Sequence, residues 1–128
     1  MNLLLTFGTR IVILALIAYS VAIFTEQRRH LIIDRVLWFI TIGVILDITA
    51  TVCMIAGSPN SPFTVHGFIG YSSLAAMLID AVLLWSYRRV HDATTIVPRK
   101  LHLYSRAAYI WWVLAFITGG VLVALKYS

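Results

Sequence analysis

Three ionisable residues interrupt long apolar runs in this sequence: Arg10, Asp47 and Asp80. Arg106 stands just inside the start of a fourth run. Ionisable groups at membrane depth are costly, so they mark either mutual pairing or a functional path. A helix rises ~1.5 Å per residue, which puts Arg10 ~12 Å and Asp47 ~15 Å from one end of their runs. Asp80 and Arg106 lie ~12 Å and ~9 Å from the other end. Matching depths on adjacent antiparallel helices predict two buried ion pairs, Arg10 with Asp47 and Asp80 with Arg106. The other chemistry open to these groups is proton transfer, with Asp47 and Asp80 as stations at staggered depth. No third acid is visible in the sequence to complete such a path.

The four histidines pose a second question. A b-type haem in a bundle takes one axial histidine and often two, at similar depth on facing helices. His30 and His91 fall in charged connections and read as solvated. His66 starts the third run and His102 the fourth, at opposite ends, so these two do not share one iron. Single-histidine ligation remains, with Met77 as a weaker second group. The candidate cofactor-binding set is therefore His66, Met77, His102 and Tyr109, and its ligand would be haem b or a quinone. No metal set is visible. There is no glycine-rich phosphate loop, HExxH, CxxC or nucleophile–base–acid set, so no enzyme is expected. The lone Cys53 lies within an apolar run and reads as packing.

These residues are carried by four apolar runs, 3–24, 36–56, 68–87 and 107–125. About 20 helical residues cross a hydrocarbon core of ~30 Å. The fourth helix is expected to begin earlier, near Pro98, because proline suits a first helical turn. The first run does not read as a signal peptide: no positive charge precedes it and Arg10 interrupts it. The 128 residues are 61% hydrophobic and 12% charged, with a mean hydropathy of +0.92. A soluble domain carries about a quarter charged residues, which excludes a soluble enzyme, a disordered tail and a secreted disulfide module. Residues 1–128 thus read as one all-α integral membrane domain, an antiparallel bundle of four transmembrane helices.

Spacings of three and four mark the interior faces. On the third helix these are His66, Gly70, Ser73, Met77, Asp80, Leu84 and Tyr87. The fourth offers His102, Ser105, Tyr109, Trp112, Phe116 and Gly119, and the second Gly43, Asp47, Thr51 and Met54. Small and polar residues of this kind hold membrane helices together, and Ser72 and Ser73 read as bundle contacts. Trp38, Trp85, Trp111 and Trp112 suit the aromatic belts at the two interfaces.

Charge gives the orientation. Arg28, Arg29, Arg35, Arg88, Arg89, Arg99, Lys100 and Arg106 flank the first and third connections, so eight of the ten cations share one face. Under the positive-inside rule that face is cytoplasmic and both termini lie outside. The excess of +5 then serves topology and anionic headgroups rather than nucleic acid.

The stretches Leu46-Asp47-Ile48-Thr49-Ala50-Thr51, Val65-His66-Gly67-Phe68-Ile69-Gly70 and Leu101-His102-Leu103-Tyr104-Ser105, with Trp111, Trp112 and Thr118-Gly119 after them, resemble the HsmA-type small membrane proteins. The resemblance spans most of the chain. It implies a four-span bundle with an Asp on the second helix and His at the starts of the third and fourth. The family pattern has a further histidine fourteen residues after the one matching His66; here that position is Asp80. A carboxylate replaces the nitrogen ligand, so no haem role is carried over.

The leading functional reading is a non-catalytic accessory or structural subunit of a larger membrane complex of bioenergetic or electron-transfer type, in a bacterial or archaeal cytoplasmic membrane. Its partners would be the lipid bilayer, other membrane subunits or a second copy. The alternatives are a haem- or quinone-binding electron-transfer protein and a proton-coupled carrier using Asp47 and Asp80. The lack of an internal repeat weighs against a lone transporter, whereas a dimer would form a path.

Overall fold

The helices run past the apolar stretches that announce them. The structure is a computed structural model and describes residues 3–57, 65–92 and 94–127. Among these residues it is all-helical, with α1 Leu3–Arg29, α2 Asp34–Gly57, α3 Val65–Val90 and α4 Arg99–Tyr127. Residues 6–29 of α1, 34–56 of α2 and 67–90 of α3 are long and apolar enough to cross a membrane. The first helix continues through Thr25, Glu26, Gln27, Arg28 and Arg29, because Glu, Gln and Arg are good helix formers even where hydropathy falls. The fourth begins directly after Pro98, whose carbonyl accepts from His102 N–H at 2.9 Å. That start matches the reading from the proline and precedes the apolar run by two turns.

Each helix end at the basic face has a local cause. α1 stops at His30, the one non-glycine residue with positive φ (56°) among those described, and its N–H closes on Glu26 C=O at 2.7 Å. This is a left-handed C-cap. Arg28 and Arg29 occupy the last turn of α1, and Asp34 the first turn of α2. Both placements complement the helix dipole.

Packing is uneven. α1 lies most closely on α2, and α3 on α4, while α2–α3 and α1–α4 touch far less. Two glycines explain the first approach. A Cβ at Gly43 would stand 2.4 Å from the Tyr19 ring, and one at Gly8 2.7 Å from Met54 Cγ and 3.2 Å from the Ala50 carbonyl. With glycine there, Ala15, Tyr19, Ala22 and Ile23 of α1 bury themselves in one cluster with Val36, Ile40 and Val44 of α2. The predicted interior stripes are the buried ones: Ser73, Met77, Asp80 and Leu84 on α3, and His102, Ser105 and Trp112 on α4. Side-chain bonds link the helices further, with Trp85 Nε1 on Thr41 Oγ1 (2.8 Å), Trp111 Nε1 on Ser72 Oγ (2.9 Å) and Tyr104 OH on the Ala76 carbonyl (2.9 Å).

The two basic connections are clasped to each other. Val97 N–H donates to His30 C=O at 2.8 Å, and Leu31 and Ile96 form an antiparallel bridge. Arg88 reinforces the clasp, donating to Ile32 C=O at 2.7 Å and pairing with Asp34 at 2.9 Å.

Candidate functional site

Three carboxylates, one from each of α1, α2 and α3, converge on a single face of α4. Glu26 meets His102, Asp80 meets Ser105, and Asp47 meets Trp112. These α4 positions share one stripe. From His102, Ser105 lies ~4.5 Å and Trp112 ~15 Å further along the helix. All three acids are buried: Glu26 and Asp80 have no exposed surface and Asp47 has 5%.

At the deepest station Asp47 Oδ2 accepts two hydrogen bonds, from Tyr19 OH at 2.8 Å and from Trp112 Nε1 at 2.8 Å. The donor rings meet edge to face, with centroids 4.9 Å apart. Here α2 and α4 are linked across the bundle diagonal, although their backbones do not approach. Tyr19 is fully buried and rests on Gly43.

At the middle station Ser105 Oγ donates a hydrogen bond to Asp80 Oδ1. Asp80 Oδ2 is buried with no hydrogen-bond partner among the described residues.

Nearest the basic end, His102 Nδ1 stands 2.9 Å from Glu26 Oε1. Gln27 Nε2 donates to Glu26 Oε2 at 2.5 Å and to His102 C=O at 2.9 Å. Arg106 Nε donates to Gln27 Oε1 at 2.8 Å, and its Nη2 lies 3.5 Å from His102 Nε2. These contacts fit the His102 tautomer with its proton on Nδ1, donated to Glu26, and Nε2 open to a donor. The exposed ring of His30 stacks on His102, with centroids 4.3 Å apart and planes 21° apart. An imidazole at the surface therefore touches a buried one bonded to a buried acid.

This arrangement differs from the sequence reading in several ways. The Arg10–Asp47 and Asp80–Arg106 pairs do not form. Arg10 is exposed, because it follows the α2-facing Gly8 by two residues, ~200° around the helix. Arg106, one residue and ~100° past Ser105, turns to Gln27 and His102 instead. Rotation breaks both pairs, and the α1–α2 register also sets Asp47 level with the helix beyond Arg10, where Tyr19 meets it. Trp112, which the sequence places both on the interior face of α4 and in an interfacial belt, belongs to the interior. His30, read as solvated, is the stacking partner of His102. A third acid does exist: Glu26 is buried on the Ala15, Tyr19, Ala22 stripe of α1. That spacing is present in the sequence, but the Glu-Gln-Arg-Arg cluster around it reads as loop.

The candidate cofactor residues are not gathered round one space. Met77 is enclosed in the core, and Tyr109 bonds Ser20 on α1 at 2.6 Å and packs edge-on against Phe24. His102 is held by Glu26. The side chain of His66 lies outside the described residues. No group of three or more His, Cys, Asp or Glu side chains arranged to hold a metal occurs among the described residues.

Comparison with protein-family models, with curated proteins and with solved structures finds no match to this chain.

Proposed function

We propose that the chain is a four-span integral membrane protein, basic connections in the cytoplasm and termini outside, whose interior takes up and passes protons as the core of a proton-coupled carrier. The observation that carries this reading is Asp80. Its carboxyl group is fully enclosed, with one oxygen held by Ser105 and the other without a hydrogen-bond partner among the described residues. A buried polar oxygen without a partner is costly, and a proton is the smallest group that can engage it.

The neighbours of Asp80 supply the parts of a relay. His30 stacks on His102 at the basic face, His102 is hydrogen-bonded to Glu26 and Tyr19 to Asp47, so a proton can pass directly within each bonded pair. No hydrogen bond among the described residues joins His30 to His102, Glu26 to Asp80 or Asp80 to Tyr19, so water must bridge those gaps for a proton to cross the bundle. Ser105 and Gln27 orient the acceptors. The accessory-subunit reading draws on exposed apolar side chains such as Phe24, Trp38, Ile45 and Val82, which lipid covers equally well. Membership of the HsmA-type family is part of the same proposal, supported by the motifs around Asp47 and His102.

The test is proton uptake by liposomes holding the purified chain, read with a trapped pH-sensitive dye under an imposed membrane potential. Uptake above that of empty vesicles is expected, with Asp80→Asn lowering it towards the empty-vesicle rate. Equal uptake with and without protein, or full uptake by Asp80→Asn, would overturn the reading.

A further inference from the structure

The outer side of α1, away from the acids, carries a groove of about 780 Å³. Its floor is apolar, made by Leu16, Ile17, Val21 and Phe24, with the Ser20 and Thr25 hydroxyls between them. Its rim at the basic end is Arg28, Arg29 and Arg35. The volume falls within the usual range of ligand sites, about 300–1,000 Å³.

Among the described residues no carboxylate pairs with these three guanidinium groups. The two carboxylates closest in sequence are engaged elsewhere: Asp34 pairs with Arg88 at 2.9 Å, and Glu26 points inward to His102 at 2.9 Å. Among the described residues, no ion pair reaches Arg28, Arg29 or Arg35, and all three side chains are exposed. Three uncompensated cations thus crown an apolar trough. The Ser20 hydroxyl, the polar group deepest in that trough, is already bonded to Tyr109.

We infer that this groove binds one anionic phospholipid, its phosphate at Arg28, Arg29 and Arg35 and an acyl chain along Leu16, Ile17, Val21 and Phe24. Length supports the assignment. From Leu16 to Phe24 is ~12 Å along the helix, close to the ~15 Å of one leaflet of the hydrocarbon core. The guanidinium groups follow at headgroup level. Arginine suits the task because its planar fork donates two bonds to one phosphate.

The experiment uses the full chain in neutral detergent. It is offered phosphatidylglycerol or phosphatidylcholine with the same acyl chains, and retained lipid is counted by native mass spectrometry. One retained phosphatidylglycerol, with little phosphatidylcholine, is expected. Each cation near a membrane surface contributes about 1 kcal/mol, so Arg35→Gln and, separately, Arg28→Gln should each weaken retention roughly fivefold. Both positions are exposed, and thermal melting verifies that the variants fold. Equal retention of the two lipids, full retention by both variants, or displacement by inorganic phosphate at equal concentration would overturn the assignment.

Discussion

Tyr19 and Gly43 share one space: the tyrosine ring lies 2.4 Å from where the Cβ of any other residue at position 43 would stand. The hydroxyl of that same ring then reaches Asp47, one helical turn further along α2, at 2.8 Å. A glycine on α2 therefore sets the position of a donor on α1. Gly43→Ala is expected to push the ring off Asp47 and to cost about 1–3 kcal/mol, the usual toll of overpacking. The fluorescence of Trp112, edge-on to Tyr19 and bonded to the same carboxylate, should change along with the unfolding midpoint. An unchanged midpoint and an unchanged spectrum would contradict this.

Tyr19 and Trp112 donate to one oxygen, Oδ2 of Asp47. Interhelical hydrogen bonds in membrane proteins average ~0.6 kcal/mol and reach ~1.7. Tyr19→Phe and Trp112→Phe should each cost a sum in that range. The double variant should cost more than the two together, because only then does Asp47 Oδ2 lose both donors. A double-mutant cycle by detergent unfolding measures the excess; strict additivity would rule it out.

How far the sequence carries this picture depends on which residues are asked. Runs of apolar residues and the eight flanking cations locate α1, α2 and α3, because lipid contact and helix length leave a direct trace in composition. The spacing of Ser73, Met77, Asp80 and Leu84 likewise reveals which side of α3 faces inward. Partnerships between helices are less visible. Depth along an axis is a count of residues, whereas the facing partner depends on rotation and on which helices approach closely. Gly8 and Gly43 set that approach, and their effect is felt on another helix. Glu26 is hidden in the sequence for a different reason: its charged neighbours describe a surface, yet the helix turns it inward from that surface.

Glu26 and His102 are expected to respond asymmetrically to substitution. His102→Phe keeps the ring stack with His30 but leaves Glu26 bonded only to Gln27. Leaving a buried carboxyl oxygen without its donor costs about 1–3 kcal/mol. Glu26→Gln keeps a carbonyl acceptor for His102, so its cost should stay at or below about 1 kcal/mol. Unfolding midpoints of the two variants decide it, and a larger loss for Glu26→Gln would count against the arrangement.

Since Asp80 and Arg106 turn to different partners, their substitutions should act independently. Asp80→Asn and Arg106→Gln are expected to add within about 0.5 kcal/mol in a double-mutant cycle. Arg10→Gln, at an exposed site, should stay within about 0.5 kcal/mol of the parent. A coupling energy well above that limit would restore the ion pair.

The connection between α3 and α4 carries its own pH dependence. Hydrogen bonds from the Thr94 hydroxyl at 2.6 Å and the Thr94 N–H at 3.0 Å, joined by the Thr95 hydroxyl at 3.1 Å, hold the Asp92 carboxyl below its ordinary value. A lowered value in the folded chain means the turn is stabilised above the unfolded carboxyl pKa of ~3.9, and that this is lost as pH falls through the lower folded value. In an NMR titration the Thr94 amide signal should therefore move with a midpoint below ~3.9. A midpoint at or above it would mean that the turn does not favour the charged form.

The bond from Val97 N–H to His30 C=O, with the Leu31–Ile96 bridge beside it, fastens two tightly packed helix pairs at the basic face. Between the pairs the backbones otherwise touch little. In mechanical terms the molecule is two beams tied by backbone at that face and cross-braced inside by single side-chain bonds. Asp47 and Trp112, which sit on opposite beams, form such a brace at 2.8 Å, and Ser20 with Tyr109 form another at 2.6 Å.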